Sequence, residues 1–288
     1  MKDFAGKTAV ITGAGGGFGR EFARVAAGLG MNLALADVEK DVLDTVADEL
    51  RETGARVIEL RVDVSKAADM ERLCAQTYEH FGAAHLLFNN AGVGAGGFIW
   101  ENTVADWEWV LGVNLWSVIH GVRLFVPKML AQGDECHVVN TASVAGLLSA
   151  QMMGVYNVSK HAVVTFSETL FHDLRIAGAK IGVTVLCPAF VATGIAQAER
   201  NRPADLRNAS VTESQRQAAA AMAKAVSSGR ITAADVAAKT FHCIRENRFY
   251  CLTHERILGA VELRMRDVLE GRNPTDPFAF KPDVAPGQ

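Results

Sequence analysis

Neither sign of charge dominates this sequence: 29 Lys and Arg stand against 32 Asp and Glu, a formal net charge of −3 over 288 residues. With no basic stripe, nucleic acid is not an expected partner. No run of about 18 consecutive apolar residues occurs, so no membrane-spanning helix is expected. The opening stretch MKDFAGKTAVITG has no apolar leader before its first strand-like run. The five cysteines (Cys74, Cys136, Cys187, Cys243, Cys251) are odd in number and scattered, with no CxxC or Cys/His metal spacing. They read as reduced, mostly buried thiols of a cytoplasmic protein, and no metal is expected. Proline is scarce too. Of seven, Pro274, Pro277, Pro282 and Pro286 fall in the last 15 residues, so that tail is expected to be extended.

What remains is the composition of an ordinary folded chain, 49% hydrophobic and 21% charged. Length alone allows two domains. Short apolar runs at 7–11, 32–36, 56–62, 85–88, 136–140 and 181–187 alternate with helical periodicity near 18–29, 39–53, 66–81, 104–131 and 155–177. A further helix at 233–246 and a strand at 248–252 follow. The pattern predicts an α/β fold: one doubly wound, Rossmann-type domain with a seven-stranded, mostly parallel sheet covered by helices on both faces. There is no repeat and no linker. The core domain is read as 1–255, with a polar, Ala-rich insertion at 194–230 acting as a mobile lid. Residues 256–288 are read as a C-terminal helix and Pro-rich tail of the same domain.

Glycine, 26 of 288 residues, is in mild excess, and its placement is informative. The first strand runs into Thr12-Gly13-Ala14-Gly15-Gly16-Gly17-Phe18-Gly19. G-x-G-x-x-G is not met, because position 18 is Phe, whereas T-G-x-x-x-G-x-G is met by Gly13, Gly17 and Gly19. A strand, a glycine turn and a helix bring backbone N–H groups and a helix dipole to a pyrophosphate. Phe18 lies within that cradle. The second strand ends on Asp37, a carboxylate placed to accept adenosine ribose hydroxyls and to repel a 2′-phosphate. No basic residue follows it, so NAD is favoured over NADP. Asp37 could at the same time cap the next helix, a role compatible with ribose binding, and Arg20 reads as a solvated first-turn residue.

Tyr156 and Lys160 lie one turn apart on one helix face, and Ser143 follows the fifth strand. With TGAGGGFG, Asp37, Asp63-Val64, Asn89-Asn90-Ala91-Gly92, Asn114 and Pro188…Thr193, they give a chain that resembles the short-chain dehydrogenase/reductase family over roughly residues 4–255. Members acting on bulky aromatic or alicyclic secondary alcohols, including lignin-type Cα-alcohol dehydrogenases, look nearest. The resemblance implies Tyr156 as acid/base, Lys160 lowering its pKa and holding the nicotinamide ribose, and Ser143 polarising the substrate oxygen. It implies a water bound by Asn114, with a kinked-helix amide as the plainer reading. It further places Asp63 and Val64 at the adenine, Asn90, Ala91 and Gly92 by the adenosine ribose, and Val191 and Thr193 at the carboxamide. Asp63 could instead cap a helix, and Ala189 replaces the family's usual glycine. A homodimer or homotetramer is implied.

The substrate is expected to be a small-molecule alcohol or ketone, bulky and neutral rather than a small anionic acid. Three segments are expected to line its site, 93–100, 144–153 and the insertion after Thr193, the first two supplying Phe98, Ile99, Trp100, Leu147, Leu148, Met152 and Met153. His161 and His172 read as exposed helix residues, and one of Trp107 and Trp109 is expected to pack on a partner or the lid. Two other readings stay open: an NADPH-dependent carbonyl or ketoacyl reductase, and a non-catalytic NAD-binding protein.

Overall fold

Seven strands form from the apolar runs, each within two residues of its expected place: β1 (Thr8–Thr12), β2 (Asn32–Asp37), β3 (Val57–Arg61), β4 (Leu86–Asn89), β5 (Cys136–Thr141), β6 (Ile181–Cys187) and β7 (Tyr250–Leu252). This computed structural model describes residues 1–277. The strand order is β3-β2-β1-β4-β5-β6-β7, with every neighbouring pair parallel. Order reverses between β1 and β4, which opens a crevice at the carboxyl ends of the central strands, where such sheets bind ligands.

Both sheet faces are covered, which is why the strands are apolar at consecutive positions. On one face Ile11, Leu33, Leu35 and Phe88 pack against helices α1 (Gly17–Gly28), α2 (Lys40–Glu52) and α8 (Ala233–Arg245). On the other, Val10, Leu87 and Val138 pack against α3 (Ala67–Phe81), α5 (Ser117–Gln132) and α6 (Gly154–Ile176). The helix expected at 104–131 is not uniform. It comprises α4 (Val104–Leu111), a five-residue π-helical stretch (Gly112–Trp116) and then α5. By length and composition Val104–Gln132 could cross a bilayer, but half of it is buried inside the fold, with Phe125 and Met129 in the core.

The insertion at 194–230 contains two 3-10 segments (Gly194–Asn201, Ala204–Leu206) and α7 (Glu213–Ser227), which opens with a Thr212/Gln215 capping box. It is pinned at Arg202, whose guanidinium pairs with the buried Asp106 carboxylate at 2.8 Å and lies 5.0 Å from the Trp109 ring centroid. Trp109, of the two tryptophans, therefore packs on the insertion. After β7 the chain forms α9 (Leu258–Leu269), as the C-terminal helix required. Pro282 and Pro286, and the rest of the tail beyond 277, lie outside the described residues.

Candidate active site

One cavity of about 1470 Å³ runs along the crevice from the glycine turn to the insertion. Its first wall is built by close approaches that only glycine permits. Gly13 has φ +66°, and a Cβ there would lie 2.9 Å from the Ala91 Cα; one on Gly19 would lie 2.0 Å from the Gly13 carbonyl oxygen. Gly19 thus seats α1 on the turn and does not reach the cavity, while Gly13, Gly17 and Phe18 line it. The α1 N-terminus has no side-chain cap, so its first-turn N–H groups are free for an anion. The Asn90 side chain is spent on this turn, donating to the Thr12 and Gly13 carbonyls at 3.0 and 3.4 Å.

Asp37 is only partly satisfied by protein. Its Oδ2 accepts the Gly15 N–H at 2.8 Å and its Oδ1 the Glu39 N–H at 3.0 Å, leaving lone pairs toward the cavity it lines. Burial pushes its pKa up, against the pull of those two N–H groups. The Asp63 Oδ1 accepts from the Ser65 N–H and hydroxyl, a turn-forming role, yet Asp63 and Val64 line the same cavity. Glu39 binds Arg200 and Asn201 of the insertion at 2.6 and 2.7 Å, which fastens that segment beside Asp37. Arg20 is held by Glu49 and is not among the lining residues.

Tyr156, Lys160 and Ser143 converge. Both α6 side chains are buried, with the Lys160 Nζ 5.7 Å from the Tyr156 ring centroid and donating to the Thr141 carbonyl at 2.9 Å. Burial pushes the Tyr156 phenol up to about 12, opposed by a hydrogen bond with Ser143. Burial likewise holds Lys160 down to about 8. The Ser143 hydroxyl also lies 3.3 Å from the Pro188 carbonyl. A phenol, an ammonium and a hydroxyl on one buried wall can exchange a proton with an alcohol oxygen. The Asn114 amide clasps the Val93 N–H and carbonyl at 2.8 and 3.0 Å and donates to the Ser159 hydroxyl at 3.0 Å. Its Oδ1 and the Lys160 Nζ both border Gly92, where a Cβ would lie 3.5 and 3.6 Å from them. The kinked-helix amide is thus seen, and it sits in the π-helical stretch.

Gly92, Ala91, Val191 and Thr193 line the cavity as expected, as do Leu148, Met152 and Met153. Phe98, Ile99, Trp100 and Leu147 do not. Beyond Gly97, at φ +121°, the chain turns outward, leaving Trp100 76% exposed and stacked on Phe98. The place expected for these aromatics is taken by α7. A Cβ on Gly94 would meet the Met222 Cε at 2.9 Å, and one on Gly96 the Ala218 Cβ at 2.7 Å. Small residues on both sides let α7 close on that loop, and the alanine run with its facing glycines was the available signal. Also absent from the expected set were Gly15, Glu39, Arg200, His254 and Arg256, the last two from the segment after β7. His172 is exposed as expected, but His161 is half-buried with its Nε2 unpartnered.

The profile of the short chain dehydrogenase family matches residues 7–204. A "CLA biosynthesis dehydrogenase/reductase" of Lactiplantibacillus plantarum is 35% identical over 272 residues, 93% of this chain and 95% of its own. A "C alpha-dehydrogenase" of Sphingobium sp. is 35% identical over 205 residues, 71% of this chain and 67% of its own, in line with the expected likeness to Cα-alcohol dehydrogenases. A crystal structure of a short chain dehydrogenase/reductase from Burkholderia phymatum in complex with NAD superposes with a TM-score of 0.95 at 57% identity, covering 96% of this chain and 99% of that one.

Proposed function

The chain belongs to the short-chain dehydrogenase family, and from that premise we propose that it interconverts a bulky, largely apolar secondary alcohol and its ketone, with NAD as cofactor and Tyr156 as acid/base. The convergence of Tyr156, Lys160 and Ser143 on the cavity carries this reading. NAD supplies the hydride acceptor when bound. The residues fit it: uncapped N–H groups of Gly17 and Phe18 would take the pyrophosphate, Gly19 would only let α1 approach the turn, and the free lone pairs of Asp37 would take the adenosine ribose hydroxyls. Asp63, Val64, Asn90, Ala91 and Gly92 would border the adenosine, Lys160 the nicotinamide ribose, and Val191 and Thr193 the carboxamide.

In the oxidative direction Tyr156 removes the proton from the carbinol oxygen while the Ser143 hydroxyl holds that oxygen in place. A phenol pushed up to about 12 is a poor base at neutral pH, so the phenolate needs cationic help. Lys160, still largely protonated at pH 7, supplies one charge from the same helix face. Asn114 acts through the main chain, holding Val93 and hence the 90–93 wall. The apolar side of the cavity, with Met152, Met153, Ala218 and Met222, suits a bulky skeleton.

An NADPH-dependent carbonyl or ketoacyl reductase would want a free cation near Asp37. Arg200 reaches that end, but Glu39 binds it in two hydrogen bonds. Exposed apolar residues Val104, Trp116 and Val158 on α4, the π-helical stretch and α6 support a homodimer or homotetramer. Initial rates at 340 nm with NAD⁺ or NADP⁺ and aromatic, alicyclic and small hydroxy-acid alcohols test the reading. Turnover of only the small hydroxy acids, or a preference for NADP⁺, would reject it.

A further inference from the structure

Two polar side chains that the chemistry above does not use stand in the cavity wall just after β7. His254 precedes a short 3-10 segment (Glu255–Ile257), and both it and Arg256 line the cavity, with Ile257 and Ala260 beside them. The His254 Nδ1 receives the Ala189 N–H at 3.4 Å and lies 2.7 Å from the Thr253 hydroxyl. An amide can only donate, so Nδ1 must be the bare nitrogen and the ring carries its proton on Nε2. Burial, helped by the Lys239 charge, favours that neutral form. The Nε2–H has no acceptor among the described residues, and Arg256 makes no ion pair or hydrogen bond among them. The carboxylates that reach the cavity belong to other segments: Asp37, Glu39 and Asp63 near the glycine turn, Glu108 on α4 and Asp205 on the insertion.

A fixed N–H donor and a guanidinium two residues apart, in a cavity whose lining also includes Met222, Ala225, Ile257 and Ala260, match a carboxylate at the end of an apolar skeleton. We propose that His254 and Arg256 recognise a carboxylate carried by the substrate away from its carbinol carbon, so that the preferred substrate is a bulky secondary alcohol bearing an acid group. This rests on the function proposed above and names its substrate class more narrowly. A small hydroxy acid would not serve, because the carboxylate must sit apart from the reacting carbon.

The test uses the full chain with NAD⁺ and two alcohols of one skeleton, 4-(1-hydroxyethyl)benzoate and its methyl ester. The expected ratio of kcat/KM, acid over ester, is about tenfold or more, as for a charge-assisted hydrogen bond. Arg256→Gln brings that ratio close to one, Arg256→Lys keeps part of it, and His254→Phe lowers it. An ester oxidised as well as the acid by the unaltered protein, or a ratio that survives Arg256→Gln, overturns the inference and leaves the dehydrogenase reading standing. Oxidation of neither compound, with NAD⁺ bound, overturns the inference, and the alcohol panel above judges the dehydrogenase reading separately.

Discussion

Replacing Lys160 by methionine should make the cofactor-free protein more stable at neutral pH while it abolishes turnover. The side chain is 2% exposed, and its ammonium donates to one protein acceptor, the Thr141 carbonyl. Burial lowers its pKa from 10.5 to about 8, and that gap is worth about 3 kcal/mol against folding at pH 7. Methionine keeps the aliphatic stem and leaves the Thr141 carbonyl without this donor, at a cost of about 1–2 kcal/mol. The variant should therefore gain about 1–2 kcal/mol at pH 7, a rise of several degrees in Tm. The pH dependence is the sharper part. Below about pH 8 Lys160 is protonated in both folded and unfolded chains, and the folded chain bears the full penalty. From about 8 to 10.5 the folded chain sheds the proton while the unfolded chain keeps it, so stability rises with pH. Between pH 7 and pH 10 the unaltered protein should regain about 2–3 kcal/mol on the variant. Neighbouring Tyr156 and Cys187, both pushed up to about 12, stay neutral throughout. Thermal melts of both proteins at the two pH values measure this. A variant that melts lower by an equal margin at both would refute a burial-strained ammonium.

Tyr156→Phe should lose about 10²–10⁴-fold in kcat while its NAD affinity, read by calorimetry, stays within a few-fold; retained turnover would remove the phenol from the chemistry. Arg202→Met strands the Asp106 carboxylate, 2% exposed, and should cost about 3 kcal/mol by urea denaturation and raise KM for the alcohol. In the intact protein burial pushes the Asp106 carboxyl up, but bonds from Thr103, Asn208 and Arg202 hold it below the usual range. The variant's deficit should therefore shrink as pH falls toward about 4 and the carboxyl takes a proton; a variant as stable as the parent would show the pair to be ornamental. Asp37→Asn should shift the NADP-to-NAD ratio of kcat/KM upward by about tenfold, since the charge facing a 2′-phosphate is gone. An unchanged ratio would place cofactor choice elsewhere.

Local spacing made the cofactor half of the site legible. The glycine turn, Asp37 at the end of β2 and the Tyr156–Lys160 step along α6 are set by residues a few positions apart, where strand and helix periods alone fix which side chains face the same way. The substrate half was legible only in part: Leu148, Met152, Met153 and the insertion line the cavity as expected, while the aromatic run does not. Phe98, Ile99 and Trp100 follow the lining in sequence, but Gly97 turns them out to solvent and α7 occupies the wall instead. Nothing in the local spacing around Asn114 showed that its amide also serves the Val93 backbone across 21 residues of chain.

By itself, then, the order of apolar runs and glycines determined a single α/β domain, the end of the sheet where the cavity opens, and the glycine turn, Asp37 and α6 residues that line it, because these follow from short-range geometry. Tertiary structure alone decided which side chains hold the remote segments on the cavity. The Arg202–Asp106 pair, the Glu39–Arg200 clasp and the His254–Ala189 contact join residues 65 to 161 positions apart. No period or motif encodes such pairings, which exist only once the sheet has brought the segments together.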